Sequence, residues 1–230
     1  MIRGMIFDVD GVILDSMPVW DDAGRRYLKS LKLAARADLD KTLSNMSIPE
    51  AAAYLKKAYR LIQSEDVIVK GIEGVVSEFY INEAPLKPGT KEFIIELHKN
   101  HIPMVIATSS NRSYLEEAFK RLEISRFFQA ICTCTELRTS KNNSPLIYEK
   151  AAEIILSRPL KSYEYRDFWV VEDSLHAIKT AKAAGFSVLA VYDESAKSEH
   201  ELIESIADHY LMKLGTEISF IFEESGMRRR

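Results

Sequence analysis

MIFDVDGV, residues 5–12, is a short apolar run that ends in two aspartates and a glycine. Its first three residues have the composition of a buried strand. Asp8 and Asp10, at the end of that strand, would repel each other, and burying them costs free energy unless a cation or hydrogen bonds compensate. Because ligands of open α/β sheets bind at the carboxyl ends of strands, the stretch predicts a Mg²⁺-dependent site with a carboxylate nucleophile. On its own, the pair also fits a solvated acidic turn.

Two kinds of pattern follow this stretch. Residues 16–86 have apolar positions three and four residues apart and contain no clear strand, which is typical of helices. From residue 87 onward, short apolar runs alternate with helical segments of about three turns. We expect helices at residues 19–33, 49–61, 65–80, 90–99, 113–122, 145–156, 175–184 and 199–206, and further strands at residues 102–107, 129–132, 168–171, 187–191 and 209–211.

This alternation determines the expected fold class. Strands separated by helices indicate βαβ units and a parallel sheet, and right-handed crossovers place the strand ends on one edge. The sequence therefore predicts an α/β protein with a Rossmann-like parallel sheet core, formed by residues 1–15 and 87–230. An all-helical cap, residues 16–86, is inserted just after the first strand.

Three further segments carry polar residues that suit phosphate chemistry. Thr108 and Ser109 follow one strand, where they either bind a phosphate oxygen at a helix N-terminus or simply cap that helix. Lys141 lies in the loop before a later helix, where a solvated lysine is the alternative. Glu172 and Asp173 follow another strand and either bind a metal or cap a helix. Together with the first two aspartates, these residues supply oxygen ligands for Mg²⁺ and donors for phosphoryl transfer.

These motifs resemble those of the haloacid dehalogenase superfamily of phosphohydrolases, over essentially the whole chain. The matching segments are residues 7–12, 106–110 and 171–174, Lys141, and the helix at residues 177–185. The inserted helical segment is similar to the small C1-type cap of the phosphoglycolate phosphatase and β-phosphoglucomutase-like members. One stretch departs from the family, which usually has Pro-x-Pro-Asp after its lysine, whereas residues 142–146 read NNSPL.

The resemblance implies a catalytic or binding role for each of these residues. Asp8 is the expected nucleophile, which forms an aspartyl-phosphate, and an ordinary carboxylate pKa of about 3.9 would leave it ionised at neutral pH. Asp10 is expected to protonate the leaving alcohol and then to activate water. Thr108, Ser109 and Lys141 are the expected phosphoryl-binding residues.

The resemblance also implies a bound Mg²⁺ ion. Its expected ligands are Asp8, the main-chain carbonyl of Asp10 and Asp173, with Glu172 close by or acting through a water molecule. The expected function is hydrolysis of a small phosphorylated metabolite, which would make the protein a phosphoric monoester hydrolase.

Three other functions fit part of the pattern. A phosphomutase of the β-phosphoglucomutase type carries a cap histidine five residues after the aspartate equivalent to Asp15, and Trp20 stands at that position here. A phospho-receiver switch also uses an acidic Mg²⁺ pocket, but its phosphorylated aspartate follows a later strand and it has no large cap. A dehalogenase acts on carbon, whereas Asp10 and the acidic pairs suit phosphate. We therefore favour the phosphatase.

Composition limits the expected partners. Hydrophobic residues make up 47% and charged residues 28% of the 230 residues, and the formal net charge is −3, so no nucleic-acid partner is expected. The sequence shows no apolar run of about 18 residues and no secretory segment, which predicts a cytoplasmic protein with no membrane partner. Cys132 and Cys134 are expected to be small buried neighbours on one strand rather than a metal site. We expect a monomer or a weak dimer.

Overall fold

The structure is a computed structural model that describes residues 2–44, 46–159, 162–219 and 221. The chain divides into two compact units, one formed by Met1–Asp15 and Pro85–Arg230 and the other by Ser16–Ala84. The first unit contains the sheet and is called the core; the second is helical and is called the cap. In the described part of the chain, no helix is both long and apolar enough to cross a membrane.

The core is built on a parallel sheet, and six strands of it lie within the described residues. In chain order they are β1 (Gly4–Phe7), β2 (Met104–Thr108), β3 (Ile131–Thr133), β4 (Phe168–Glu172), β5 (Ser187–Val191) and β6 (His209–Leu211). Their order across the sheet is β3-β2-β1-β4-β5-β6. Every neighbouring pair is parallel, which confirms the predicted α/β fold with a Rossmann-like parallel sheet.

The cap consists of helices in its described residues. They are α1 (Pro18–Ser30), α2 (Leu39–Leu43), α3 (Ile48–Tyr59) and α4 (Glu65–Asn82). Helix α3 begins with a capping box, in which the Glu50 carboxylate accepts the main-chain N–H of Ser47 at 2.8 Å. Helices α1 and α3 both pack on α4, so the cap has a small apolar interior of its own. The short helix α2 is not anticipated by the sequence pattern.

The helices of the core connect its strands. Within the described residues they are α5 (Thr90–Lys99), α6 (Arg112–Arg121), α7 (Cys134–Leu137), α8 (Leu146–Leu156), α9 (Leu175–Ala184) and α10 (His200–Ile206). Short 3₁₀ turns occupy Ser125–Phe127, Ser162–Asp167 and Glu194–Glu199. Helices α5 and α9 and strands β5 and β6 have the bounds that the sequence pattern predicts. The short helix α7 is not anticipated, and the other predicted elements of the core differ by a few residues at their ends.

The prediction that the two cysteines are neighbours on one strand is wrong. Strand β3 ends at Thr133, and Cys134 begins helix α7. The cause is a helix cap, because Thr133 Oγ1 accepts the main-chain N–H of Glu136 at 3.2 Å. Both cysteines are free thiols and buried, as expected of small interior residues.

The chain leaves the core after β1 and returns to it at a neighbouring point. The Asp15 N–H donates to the Pro85 carbonyl at 3.0 Å, and the Lys87 N–H donates to the Ile13 carbonyl at 2.9 Å. Leu14 and Leu86 lie between them as an antiparallel bridge. The two connecting segments are therefore hydrogen-bonded to each other within the core.

The strand register determines which residues meet at the edge of the sheet. Phe7, the last residue of β1, lies opposite Ile106 of β2 and Val171 of β4. Met5, Ile6 and Phe7 are fully buried, as expected of a central parallel strand covered on both faces. Residues that directly follow β1, β2 and β4 therefore emerge side by side from a rigid apolar base.

Candidate active site

Asp8 is the first residue after β1 and is held at the edge of the sheet by its main chain. Its N–H donates to the Val171 carbonyl at 2.9 Å, which continues the hydrogen-bond pattern of the sheet by one residue. The side chain is almost completely buried, and Asp8 Oδ1 lies 2.6 Å from Lys141 Nζ. The predicted nucleophile is thus fixed in position and paired with a cation.

The turn after Asp8 requires a glycine. The Val9 carbonyl accepts the N–H groups of Ile13 and Leu14, each at 2.8 Å, and so closes the turn. Gly11 has a φ of +71°, and a Cβ atom at this position would lie 2.2 Å from Asp173 Oδ2. Glycine therefore permits both the left-handed conformation and the close approach of the second acidic motif.

Asp10 is drawn toward the loop that follows β2. Its Oδ2 atom accepts a hydrogen bond from Ser110 Oγ at 2.5 Å. Ser110 in turn donates its main-chain N–H to Thr108 Oγ1 at 3.1 Å. The structure therefore brings the predicted proton shuttle next to the predicted phosphoryl-binding loop.

The loop after β2 caps helix α6 through a residue other than Thr108 or Ser109. Asn111 caps helix α6, because its Oδ1 accepts the Ser113 N–H at 3.0 Å. Thr108 is fully buried at the end of β2, and the Ser109 hydroxyl donates to Cys134 Sγ at 3.5 Å. Because Asn111 supplies the N-cap of helix α6, the hydroxyl of Thr108 is not needed to cap that helix.

Lys141 lies inside the cluster although its flanking sequence departs from the family. Its side chain is 5% exposed, and its Nζ contacts Asp8 Oδ1 at 2.6 Å and Glu172 Oε1 at 2.8 Å. Burial alone would lower the pKa of Lys141, but attraction to Asp8 and Glu172 outweighs burial and raises that pKa above its usual value. Lys141 therefore carries a positive charge between two carboxylates.

Asp8, Glu172 and Asp173 form a buried acidic cluster. One carboxylate oxygen from each lies within 4.8 Å of the other two. Burial, and then repulsion by Glu172, raises the pKa of Asp8 to about 8 despite the nearby Lys141. Burial and the charges of Glu172 and Asp8 likewise raise the pKa of Asp173 well above its usual value. The ordinary pKa expected for Asp8 is thus wrong for the protein alone, because the sequence does not reveal how deeply the group is buried.

The cluster fits a divalent cation. A single lysine cannot neutralise three desolvated carboxylates, and buried charge is costly without compensation. Glu172 Oε2 is buried and has no hydrogen-bond partner among the described residues. Hard oxygen donors, a surplus of negative charge and an oxygen available for coordination are what Mg²⁺ requires.

Tyr148, on helix α8, contacts the acidic cluster, and the sequence pattern does not single it out as a site residue. Its ring is fully buried, and its hydroxyl donates to Glu172 Oε1 at 2.8 Å. Burial, and then the charges of Glu172 and Asp8, raises the pKa of Tyr148 well above its usual value, so the hydroxyl keeps its proton. The sequence predicts the helix that contains Tyr148, but helical spacing does not reveal what the hydroxyl of this residue contacts.

Lys87 and Asp193 support the site from the side of the connecting segment. Lys87 Nζ donates to the Gly11 carbonyl at 2.6 Å, to the Tyr192 carbonyl at 2.7 Å and to Asp193 Oδ2 at 2.7 Å. Asp193 follows β5, so the strand-end rule that identified the other acidic residues also applies to it. No comparable sequence signal exists for Lys87.

The chain matches known proteins over most of its length. The family model for haloacid dehalogenase-like hydrolases matches residues 5–191. The chain is 24% identical to the phosphorylated carbohydrates phosphatase of Thermotoga maritima, over 89% of this chain and 91% of that protein. It is 25% identical to hexitol phosphatase B of Escherichia coli, over 93% of each.

The solved structures show the same fold. CbbY from Rhodobacter sphaeroides, determined in complex with phosphate, superposes with a TM-score of 0.66 at 20% identity. The match covers 94% of this chain and 96% of that one. At this identity the likeness shows the fold alone, and the chemistry has to be inferred from the residues of this chain.

Proposed function

Because the chain belongs to the haloacid dehalogenase-like hydrolase family, we propose that it is a Mg²⁺-dependent phosphatase that uses Asp8 as its nucleophile. The resemblance indicated by the motifs is confirmed by the family match. The predicted class, a phosphoric monoester hydrolase, is confirmed at the level of the family, since its curated relatives are named phosphatases.

One observation carries the proposal: a buried carboxylate and a buried lysine lie side by side within an acidic cluster. Lys141 Nζ is 2.6 Å from Asp8 Oδ1, and Glu172 and Asp173 complete the cluster. Phosphoryl transfer is catalysed mainly by positioning and electrostatic stabilisation. A nucleophile held beside a fixed cation, at the edge of a rigid sheet, meets both requirements.

The proposed metal ligands are Asp8, Asp173 and the main-chain carbonyl of Asp10, with Glu172 coordinating directly or through water. When bound, Mg²⁺ supplies positive charge that neutralises phosphoryl oxygens and reduces their repulsion from Asp8. The donor set of the cluster supports this assignment, since carboxylate oxygens are preferred Mg²⁺ ligands.

The proposed reaction has two steps that share one acid–base group. The Asp8 carboxylate attacks phosphorus, and the departing alcohol oxygen takes the proton of Asp10, which leaves an aspartyl-phosphate. Asp10 then removes a proton from water as that water attacks phosphorus, which regenerates Asp8 and releases phosphate. Thr108 and the main chain at Ser109 donate to the phosphoryl oxygens, and Lys141 offsets their charge.

We assign the substrate to the class of phosphorylated sugars and sugar alcohols. Two relatives that match about nine-tenths of the chain are named for phosphorylated carbohydrates and hexitol. Trp20, which is 40% exposed in the cap, stands where the mutase histidine is expected, and this favours transfer to water over transfer to a sugar. A cytoplasmic location and a monomeric or weakly dimeric state remain predictions.

The test is a turnover screen of phosphorylated sugars with Mg²⁺, on the wild type and on Asp8→Asn. We expect Asp8→Asn to lose at least about 10³-fold in kcat, because a covalent nucleophile is removed. The matched control is Glu201→Gln, which replaces an exposed carboxylate on α10 with an amide and should keep full activity. Hydrolysis that survives in Asp8→Asn would rule out the covalent mechanism. Conversion of β-glucose 1-phosphate to glucose 6-phosphate would identify a mutase instead.

A further inference from the structure

The two carboxylate oxygens of Glu172 have different surroundings. Oε1 accepts two hydrogen bonds, one from Lys141 Nζ and one from the Tyr148 hydroxyl, each at 2.8 Å. Oε2 is buried and has no hydrogen-bond partner in the described part of the chain. Glu172 itself is completely buried. One oxygen is thus held by donors, while the other remains available to a ligand.

Of the two donors, Lys141 is shared and Tyr148 is held rigidly. Lys141 Nζ also contacts Asp8 Oδ1 at 2.6 Å, so a shift of this flexible side chain toward either carboxylate weakens its contact with the other. Tyr148 lies in helix α8, and its ring packs edge-on against Phe186 with centroids 6.0 Å apart. Its hydroxyl direction is therefore set by the packing of the core.

We propose that Tyr148 is a positioning residue for the cation site. It acts through Glu172: by donating to Oε1 it fixes the rotation of the carboxylate and leaves Oε2 as the oxygen that faces a cation or its bound water. Hydrogen bonds to a metal-binding carboxylate commonly orient it and tune metal affinity. This inference rests on the proposed function, because it assigns Tyr148 to the Mg²⁺ site of that function.

The direct test compares Mg²⁺ binding to the wild type and to Tyr148→Phe by isothermal titration calorimetry without substrate. The substitution removes one oxygen and keeps the ring against Phe186. We expect the Kd for Mg²⁺ to rise about 10-fold, as losses of supporting hydrogen bonds at metal sites do. At saturating Mg²⁺, kcat should return to within about 3-fold of the wild type, since Tyr148 contacts no reacting atom.

The chain offers a matched control in Tyr165. Its ring also packs on Phe186, with centroids 4.9 Å apart, and its hydroxyl donates to Glu149 Oε1 at 3.0 Å rather than to Glu172. Tyr165→Phe therefore removes a tyrosine hydroxyl from the same aromatic cluster without touching the site. Its Kd for Mg²⁺ should equal that of the wild type.

Two further measurements keep the proposal testable if Tyr148→Phe is unstable. A role in positioning predicts a smaller Mg²⁺-induced rise in Tm than in the wild type, whereas a purely structural role lowers Tm equally with and without Mg²⁺. Glu172→Gln replaces the carboxylate through which Tyr148 acts with a neutral amide, which is a weaker ligand for Mg²⁺. The Kd of this variant for Mg²⁺ should therefore also rise at least about 10-fold.

The outcomes separate this inference from the proposed function. A wild-type protein that neither binds Mg²⁺ nor hydrolyses phosphorylated sugars contradicts the proposed function and the inference with it. A wild-type protein that does both, with an unchanged Kd in Tyr148→Phe or in Glu172→Gln, contradicts the inference alone.

Discussion

Two lysines of the core, the buried Lys141 and the partly buried Lys87, lie in different electrostatic surroundings. Lys141 Nζ contacts two carboxylates, Asp8 at 2.6 Å and Glu172 at 2.8 Å, and Asp173 belongs to the same cluster. Lys87 Nζ contacts one carboxylate, Asp193 at 2.7 Å, together with two main-chain carbonyls. The first lysine is outnumbered by negative charges, and the second is matched by one.

The pKa values of the neighbouring acids record this difference. Burial and repulsion by Glu172 raise the pKa of Asp8 to about 8, and Lys141 compensates only in part. Burial would also raise the pKa of Asp193, but hydrogen bonds from Lys87 and Ser195 outweigh it and lower that pKa. We interpret the Lys141 cluster as built to receive a further cation, and the Lys87 pair as a structural brace.

The largest expected effect is the loss of activity in Lys141→Met. Removing the cation beside the nucleophile should lower kcat/KM at saturating Mg²⁺ by about 10³-fold, since it deprives the phosphoryl group of a fixed positive charge. Lys87→Met is the comparison variant and should lose less than about 10-fold by the same measure, because Lys87 does not contact Asp8. Equal losses in the two variants would contradict the division into site and brace.

The next effect is on stability. Lys87→Met should lower the free energy of unfolding by about 3 kcal/mol, because it leaves the Asp193 carboxylate buried without its cation. Urea denaturation of Lys91→Met provides the control, since Lys91 is 40% exposed and its Nζ donates to the Leu122 carbonyl at 3.3 Å; a change within about 0.5 kcal/mol is expected there.

A second substitution sharpens that result. Replacing Asp193 by Leu in the Lys87→Met background removes the carboxylate that has lost its cation. More than half of the lost free energy of unfolding should therefore be regained. If Lys87→Met lowers the free energy of unfolding no more than Lys91→Met does, the ion pair of Lys87 with Asp193 does not brace the fold.

The smallest expected effect is a pH dependence of the brace. Because the pKa of Asp193 is lower in the folded protein than its ordinary value of 3.8, its contribution to stability is complete above about pH 3.8. The contribution is lost as the pH falls below that value and through the folded pKa. The difference in unfolding free energy between the wild type and Asp193→Asn should therefore be smaller at about pH 3 than at about pH 6. If this difference in unfolding free energy is the same at both pH values, the charge of Asp193 does not contribute to stability.

The sequence predicts the fold well because the fold depends on repeated patterns. Alternating apolar runs and helical segments indicate a parallel sheet, and the parallel register then places Asp8, Thr108 and Glu172 at one edge. Helix α2 is missed because five residues are too few for a recognisable period. Cys134 is misplaced because Thr133 caps helix α7, so that β3 ends at Thr133 and Cys134 begins a helix.

The site is harder to predict where it depends on which atoms a side chain contacts rather than on the periodic spacing of apolar residues. The position of Lys141 follows from the path of a loop, and neither spacing nor flanking residues determine that path. Tyr148 lies in a predicted helix, but periodicity indicates only the face of the helix on which a side chain lies and not what its terminal atom contacts. Lys87 acts through contacts with residues 76, 105 and 106 positions away in the chain, and no local pattern contains them.

The paired connecting segments make the core tolerant of what lies between them. Asp15 and Pro85 are joined by a main-chain hydrogen bond at 3.0 Å, so the ends of the cap sequence are fixed side by side by the core itself. The entropy of closing such a loop grows only slowly with its length, by about 0.6 kcal/mol for each doubling. An insert of a different length in place of residues 16–84 would therefore change this closure cost little, which makes the junction a natural graft point.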